Sequence, residues 1–350
     1  MTVFACAGCG AVLTAPLSEV ALPVLAHGRY GHDLLPALMD PGTYAVDPEP
    51  SGPPWRRWSE IDPDEAAARG VYAPVPALSF GPPGAVVIAP GDVRGTVLIP
   101  DRCDGYCLGL DGRDGPNLAC AGCELAVATR IDDCSFWQAI RLDPRTVRRL
   151  PGVRPAAPVA GWEALSGEYA GTPPVEPPGF WSPLWEAAVG AALARLPAAS
   201  TGAPVTVPDG PIADAFRHAL DTLLPRDVRP KTLALAGPGL PGPDGDIALV
   251  PAHPRTGAIW EPPGTPDAVP LDFRVWRYLA FGDDRVPVPV TGGLPDGVRR
   301  DESPPLLPGW PFRPDREVFL RTLARLPEVR RPWLRRIYDR MREHPYGHPF

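Results

Sequence analysis

Apolar runs of strand length dominate the first 150 residues of the chain. The clearest are residues 85–89 and 96–99, which a Pro-Gly-Asp turn separates and which predict two strands. Residues 4–13 are expected to form a hairpin, in which Gly10 tolerates positive φ. Residues 135–142 fit a strand or a helix equally well. Further strands are predicted at residues 44–46 and 127–131, and one or two helical turns at residues 32–39.

Helical periodicity begins in the second half of the chain. Residues 183–196 carry the clearest helix pattern, and Ser182 and Pro183 suit its N-cap and first positions. Pro197 is expected to end this helix, because proline lacks the backbone N–H that continues the hydrogen-bond ladder. The segment therefore predicts a helix with a defined start and a defined stop.

Other periodic segments of this half predict a mixture of helices and strands. Residues 211–224 form a helix with Asp209 as the expected cap. An Arg-rich segment, residues 313–343, is expected to form one helix to about Leu326 and a second from about Pro332. Strands are expected at residues 232–236, 246–250 and 258–260, followed by a mixed segment at residues 271–281.

Proline and glycine change the picture of how these elements are joined. The chain has 52 Pro and 36 Gly in 350 residues, which indicates many long loops. Composition shifts near Pro151, and the pattern predicts an α+β fold. The chain is expected to divide into a β-rich domain at residues 1–150, a Pro/Gly-rich linker at 151–178, a smaller α+β domain at 179–312 and C-terminal helices at 313–350.

The cysteines supply the main candidate for chemistry. The sequence Ala-Cys-Ala-Gly-Cys occurs twice, with its cysteines at Cys6 and Cys9 and again at Cys120 and Cys123. A Cys-x-x-Cys turn points two sulfurs at one ion, and two such turns complete the closed tetrahedron of structural zinc. The identical local sequences favour one zinc ion held by these four residues.

Two other arrangements of the cysteines remain open from the sequence. Cys103 and Cys107 could join Cys120 and Cys123 in a compact local site, because that spacing is also acceptable. Cys6 and Cys9 would then need new partners. His27 and His32 follow at a Cys2His2 spacing, so a second zinc ion is an alternative.

Both turns resemble the knuckles of zinc-ribbon proteins, whose halves have the pattern Cys-x-x-Cys-Gly. The first turn matches the whole pattern and ends in Gly10, whereas the second ends in Glu124. The resemblance covers only these two short stretches. It implies structural zinc and a contact with nucleic acid or with another protein, and it implies no activity.

Charge and hydropathy limit the possible partners. The formal net charge of −7 argues against general attraction to nucleic acid or to anionic lipid. No apolar run reaches the roughly 18 residues of a membrane helix. The N-terminal residues lack the features of a signal peptide, so the expected location is the cytoplasm, where thiols stay reduced.

Candidates for catalysis are weaker. Cys134 belongs to neither pairing and would need a nearby histidine to act as a nucleophile. A Gly-x-Gly-x-x-Gly sequence at residues 237–242 has no helix after it to receive a phosphate, so a loop is predicted. Aspartates that could bind a cation, but are more typical of turns, are Asp101, Asp104, Asp111, Asp114, Asp132 and Asp133.

The sequence therefore favours a non-catalytic, zinc-stabilised binding or adaptor protein with an unidentified protein partner. The first alternative is a nucleic-acid-binding protein that uses the ribbon and the Arg-rich helices. The second alternative is an enzyme with a site around Cys134 and the Asp-rich turns.

Overall fold

A computed structural model of the chain describes residues 1–28, 34–151, 159–168, 171–225, 228–264, 266–282, 288–289 and 306–343. Helices and strands both contribute substantially, which confirms the α+β class. Contacts divide the chain into two compact units. The first comprises Met1–Glu65, Pro74–Val159 and Pro254–Gly257, and the second Ala66–Ala73, Ala160–His253 and Ala258–Phe350.

The first unit is built from strands. They are β1 (Thr2–Cys6), β2 (Ser18–Glu19), β3 (Thr43–Asp47), β4 (Trp55–Arg57), β5 (Ala77–Ser79), β6 (Ala85–Ile88), β7 (Thr96–Leu98), β8 (Leu118–Cys120), β9 (Ala126–Ile131), β10 (Ala139–Leu142) and β11 (Val147–Pro151). A short helix, α1 (Pro63–Ala68), begins in this unit and ends in the second.

Among the described residues, seven of these strands form one sheet in the order β2-β3-β6-β10-β9-β8-β7. Strands β1 and β11 form a separate antiparallel pair, and β4 and β5 form another. One core joins side chains of the β1–β11 pair, such as Phe4, to side chains of the large sheet, such as Ile88 and Ile140. Cys6 and Cys120 are members of this core, and both are fully buried.

Most of the predicted strands of this unit are present, but their pairing was not predictable. Strands β6 and β7, adjacent along the chain, do not pair with each other, since β6 lies between β3 and β10 and β7 pairs with β8. The ambiguous segment at residues 135–142 ends in strand β10. The helical turns predicted at residues 32–39 are wrong for residues 34–39, which are not helical, and residues 32–33 lie outside the described residues.

The second unit combines helices with a small parallel sheet. Its elements are α2 (Trp162–Glu168), α3 (Pro183–Ser200), β12 (Val205–Thr206), α4 (Pro211–Leu223), β13 (Lys231–Leu235), β14 (Ile247–Ala252), β15 (Asp267–Asp272), α5 (Phe273–Phe281), β16 (Val288–Pro289), β17 (Leu306–Leu307), α6 (Arg316–Ala324) and α7 (Pro332–Glu343). Strands β12 to β15 pair in chain order and in parallel, and α3 packs against β15, α4 and α6. Helix α2 falls within the segment predicted as a linker.

Helix α3 does not stop at Pro197, contrary to the prediction. It continues to Ser200 and closes at Thr201, whose φ of 57° is left-handed. The Thr201 N–H donates to Ala198 O, and the Gly202 N–H donates to Pro197 O, so the carbonyls of Pro197 and Ala198 are satisfied. One missing N–H therefore does not end a helix that is buried on most sides and closed by a good cap.

Two predicted caps and one predicted strand also differ from the structure. Ser182 occupies the N-cap position of α3, but its hydroxyl makes no cap hydrogen bond. Gly210 is the N-cap of α4, and Asp209 instead pairs with Arg217 at 2.6 Å. The strand predicted at residues 258–260 is reduced to one isolated bridge. In the described part of the chain, no helix has the length and apolar character needed to cross a membrane.

Candidate metal centre

Each of the two Cys-x-x-Cys turns begins at the end of a strand, and the two strands belong to different sheets of the first unit. Cys6 is the last residue of β1, and Cys120 is the last residue of β8. Strand β1 is flanked by β11 and by a return segment that bridges Ala5 to Val12. Strand β8 is flanked in the same way by β7 and β9. Each turn is therefore the tip of a hairpin, as predicted for residues 4–13.

The two turns share the same backbone hydrogen bonds. The Cys6 N–H donates to Ala11 O at 2.8 Å, and the Gly10 N–H donates to Cys6 O at 2.9 Å. In the second turn the corresponding bonds join Cys120 to Leu125 and Glu124 to Cys120, both at 2.8 Å. Gly10 has a φ of 81° and Glu124 a φ of 61°, so both turns close through the left-handed region although only one has glycine there.

The four sulfurs form one cluster in which all Sγ atoms lie within 4.8 Å of one another. The close contacts cross between the turns, with 3.5 Å from Cys6 to Cys123 and 3.6 Å from Cys9 to Cys120. Each buried sulfur thus meets the exposed sulfur of the other turn. A tetrahedral zinc–thiolate site with bonds of about 2.3 Å separates its sulfurs by about 3.8 Å, which this cluster can accommodate.

The glycine between the two cysteines of each turn occupies an equivalent position in the cluster, so the two turns are related by an approximate two-fold symmetry. A Cβ atom at Gly8 would lie 3.5 Å from the Cys123 sulfur, and one at Gly122 would lie 3.6 Å from the Cys9 sulfur. Each turn therefore presents a glycine backbone to the exposed sulfur of the other. The repeated sequence produces a repeated geometry around one central point.

The electrostatics of the cluster favour a thiolate at Cys6. Burial raises the pKa of Cys6, but the N–H groups of Cys9 and Gly8 donate to its sulfur and lower that pKa to about 7. The Leu125 N–H lowers the pKa of Cys123, but sharing a proton with the sulfurs of Cys6 and Cys9 raises it to about 12. A bound cation would be needed to keep all of these sulfurs deprotonated together.

The alternative grouping of Cys103 and Cys107 with Cys120 and Cys123 is not formed. Cys103 lies apart from the cluster and donates from its sulfur to Ile99 O at 3.3 Å. Cys107 lies instead beside Asp133 and Cys134, within 4.8 Å between ligand atoms. The compact site of Cys103, Cys107, Cys120 and Cys123 is therefore wrong as a grouping.

His27 has a different role from the one the Cys2His2 spacing suggested. Its Nε2 lies 3.3 Å from Oδ2 of Asp47, which Arg141 also contacts at 2.5 Å. Burial raises the pKa of Asp47, but hydrogen bonding and the charges of His27 and Arg141 outweigh it and hold that pKa well below its usual range. His32 lies outside the described residues, so the second half of that prediction stays untested.

Several arginines of the C-terminal helices are engaged within the protein. Arg335 pairs with Asp339, four residues further along α7, at 2.9 Å. Arg316 donates to Met341 O, and Arg340 donates to Thr222 O. These contacts leave fewer guanidinium groups for phosphate than the sequence count implies.

The other candidates mostly fill structural roles. The loop at residues 237–242 has no helix after it, and Gly237 lies against the ring of Trp276. Asp111 accepts from the Arg113 N–H in a turn, and Asp132 pairs with Arg130 at 2.6 Å.

Comparison of this chain with family models, with curated proteins and with solved structures finds no match.

Proposed function

We propose that the chain is a zinc-stabilised binding or adaptor protein, in which Cys6, Cys9, Cys120 and Cys123 hold one structural zinc ion. The observation that carries the proposal is the closed set of four sulfurs in two matching turns. Four thiolates occupy all four coordination positions of a tetrahedral zinc ion and leave none for water. The ion therefore supplies folding energy and does no hydrolytic chemistry.

The position of the cluster supports a structural role for the metal. Cys6 and Cys123 are 117 residues apart in the chain, yet their sulfurs touch. One ion would tie the β1–β11 pair to the seven-stranded sheet at the end of β8, the strand next to the edge. Bringing together residues this distant in the chain costs loop-closure entropy, which metal binding offsets.

An edge strand beside the cluster supports a binding role. Strand β7 is the last strand in the sheet order, and its Val97 and Leu98 side chains are 50% and 48% exposed. The start of this strand lies beside the second Cys-x-x-Cys turn, since the Ala121 N–H donates to Gly95 O at 2.9 Å. An edge strand with exposed apolar side chains suits the addition of a strand from a partner protein.

Nucleic-acid binding is less well supported. The chain carries a net charge of −7, and Arg316, Arg335 and Arg340 make intramolecular contacts. A partner protein that pairs with β7 requires no excess of positive charge. We therefore prefer a protein partner.

Zinc binding is tested by native mass spectrometry of protein purified without added metal. Cys9→Ser removes an exposed sulfur of the cluster and is expected to lose one zinc ion per chain. Cys103→Ser is the matched control, because that sulfur lies outside the cluster, and it should keep the wild-type zinc content. The same zinc content in Cys9→Ser as in wild type, or a lower content in Cys103→Ser, would contradict the assignment.

Partner binding is tested by changing the edge strand and leaving the zinc cluster unchanged. Leu98→Lys places a charge on β7 and is expected to abolish cross-linking to the partner in cells. Val46→Lys serves as the control, because Val46 is 44% exposed on β3, an inner strand of the same sheet. Equal loss of cross-linking in both variants, or in neither, argues against β7 as the binding edge.

A further inference from the structure

A second group of metal-ligating side chains lies in the first unit, away from the four-cysteine cluster. It consists of Cys107, Asp133 and Cys134, whose ligand atoms all lie within 4.8 Å of one another. Cys107 is exposed, Cys134 is half-buried and Asp133 is only 3% exposed. The group joins two loops, one between β7 and β8 and the other between β9 and β10.

The carboxylate of Asp133 is held in a fixed orientation. Its Oδ1 accepts from the Leu108 N–H at 3.0 Å and from the Cys134 N–H at 2.7 Å. The neighbouring Asp132 N–H donates to Leu110 O at 2.8 Å, which fastens the same two loops together. These backbone bonds place a buried carboxylate beside both sulfurs before any ligand arrives.

The other carboxylate oxygen is the observation that points to a ligand. Oδ2 of Asp133 is buried and has no hydrogen-bond partner among the described residues. Burying a polar oxygen without a partner destabilises the fold, and does so more strongly when the oxygen carries charge. None of the other aspartates in the Asp-rich turns combines full burial with two neighbouring thiols in the described structure.

We infer that Cys107, Asp133 and Cys134 form a second metal site, which binds a zinc-like divalent cation through three protein ligands and leaves a fourth position to water. Two thiolates favour a borderline transition metal over Mg²⁺ or Ca²⁺, which prefer oxygen ligands alone. Two thiolates and one carboxylate leave a single net negative charge after a divalent cation binds. Because Cys107 is exposed, solvent reaches this ion.

The two sites therefore differ in what they can do. The four-cysteine cluster is closed, whereas three protein ligands leave the open position that is typical of zinc sites able to bind a substrate or activate water. The inference goes beyond the binding or adaptor role and does not depend on it. It assigns a metal-dependent role to Cys134, without the histidine that a cysteine nucleophile requires.

The test is an anaerobic titration of the reduced, metal-free full chain with cobalt(II), followed by absorption spectroscopy and native mass spectrometry. Wild-type chain is expected to bind two equivalents, and Cys107→Ser and Cys134→Ser one equivalent each. Asp133→Asn keeps the Oδ1 acceptor and is also expected to lose the second equivalent. Cys103→Ser, in the same loop as Cys107, should keep both.

The outcomes separate this inference from the structural zinc. If wild type binds one equivalent and Cys134→Ser still binds it, only the four-cysteine cluster holds metal and the inference fails. If wild type binds one equivalent and Cys134→Ser binds none, the inference is supported and the four-cysteine cluster is the site that fails to bind. The inference is also overturned if wild type and Cys134→Ser both bind two equivalents, or if the purified chain has a disulfide between Cys107 and Cys134 and no second metal.

The open position has its own measurement. Azide added to the cobalt-loaded wild-type chain should change its visible spectrum, because a small anion replaces the bound water. The cobalt-loaded Cys134→Ser chain retains only the closed cluster, and its spectrum should stay unchanged. An unchanged wild-type spectrum would rule out an exchangeable fourth ligand.

Discussion

Glu124 takes a backbone conformation that is usual for glycine. Its φ of 61° corresponds to the 81° of Gly10 in the first turn, and both residues donate their N–H to the carbonyl of the turn's first cysteine. A left-handed conformation costs a residue with a Cβ atom about 1–2 kcal/mol, a penalty that glycine avoids. The second turn therefore reaches the geometry of the first at a local cost.

This cost predicts opposite effects of two substitutions. Glu124→Gly should raise the free energy of unfolding by about 0.5 kcal/mol, because relief of the left-handed penalty exceeds the added backbone entropy. Gly10→Ala should lower it by about 1 kcal/mol for the converse reason. Urea denaturation of zinc-loaded protein measures both. Glu124→Ala keeps a Cβ atom and is the control, and a gain in that variant equal to the gain in Glu124→Gly would contradict the explanation.

At the scale of single residues, the repeated Ala-Cys-Ala-Gly-Cys motif predicted which cysteines meet, whereas the grouping of Cys107 with Asp133 and Cys134 was not predictable. The identical sequence around Cys6 and Cys120 predicted that their turns meet, and the structure places the four sulfurs together. Cys107, Asp133 and Cys134 share no repeated spacing. They meet only because backbone bonds such as Leu108 N–H to Asp133 Oδ1 join two loops, and such bonds leave no periodic signal in the sequence.

In the loop between β13 and β14, Gly237 leaves room for a buried aromatic ring. A Cβ atom at Gly237 would lie 2.1 Å from the ring of Trp276, which is fully buried and donates from its indole N–H to Ala236 O at 3.0 Å. Gly242, in the same Gly-x-Gly-x-x-Gly sequence, has no atom within 4 Å of an added Cβ. The first glycine is therefore required by the packing of a tryptophan from α5, and the last is not.

This difference predicts the effect of two alanine substitutions in one loop. Gly237→Ala should destabilise the protein by about 1–3 kcal/mol, because the added methyl group displaces the Trp276 ring. Gly242→Ala should leave stability unchanged. Thermal unfolding and tryptophan fluorescence measure both effects, and equal destabilisation by the two substitutions would show that the loop does not act through Trp276.

Helices α3 and α6 bring two carboxyl groups together. Burial, and then the charge of Asp315, raise the pKa of Glu186 to about 8. Burial also raises the pKa of Asp315, to about 6, although that residue caps α6 by accepting from the Val318 N–H at 2.6 Å. At neutral pH the folded protein therefore holds Glu186 mainly protonated, whereas the unfolded chain would ionise it.

The raised pKa of Glu186 predicts a loss of stability as pH rises. Its stabilising contribution is complete below the ordinary value of 4.5 and is lost as pH rises through about 8, because the unfolded chain releases the proton first. Denaturation measured across this range should show a falling free energy of unfolding for wild type. Glu186→Gln should show a shallower fall, and Asp315→Asn keeps the cap and reports on the second carboxyl group. An identical slope in wild type and Glu186→Gln would contradict the raised pKa.

The sequence predicted elements better than their connections. Helices α4, α6 and α7 were visible because apolar residues recur on one face, whereas α3 was visible from Ser182 and Pro183 at its start. Residues 85–89 and 96–99 were visible as apolar runs. Pairing was not, since β6 and β7 are neighbours in the chain but not in the sheet. Pro197 misled the prediction because a proline signals only its own missing N–H, whereas the packing of α3 and its closing turn decide whether the helix continues.

In the whole molecule, chain order and spatial grouping diverge. The sequence pattern divides the chain into consecutive blocks at residues 150, 178 and 312. Contacts instead group residues 66–73 with the second unit and residues 254–257 with the first. Such short segments have no distinctive composition, because the unit to which they belong depends on contacts with residues that are distant in the sequence. The core of the first unit contains Cys6 and Cys120, and the second unit contains no cysteine.

Removal of metal is therefore expected to affect the first unit before the second. Without the proposed zinc ion, nothing would link the sulfurs at the ends of β1 and β8, and the core around Cys6 and Cys120 is expected to open to water. Hydrogen exchange should then quicken first in β1, β8 and β11. The buried helix α3 provides the internal reference and should keep its protection at chelator concentrations that already expose those strands. Addition of zinc should restore the wild-type pattern, and unchanged exchange in β1 and β8 after complete metal removal would mean that packing alone holds the two turns together.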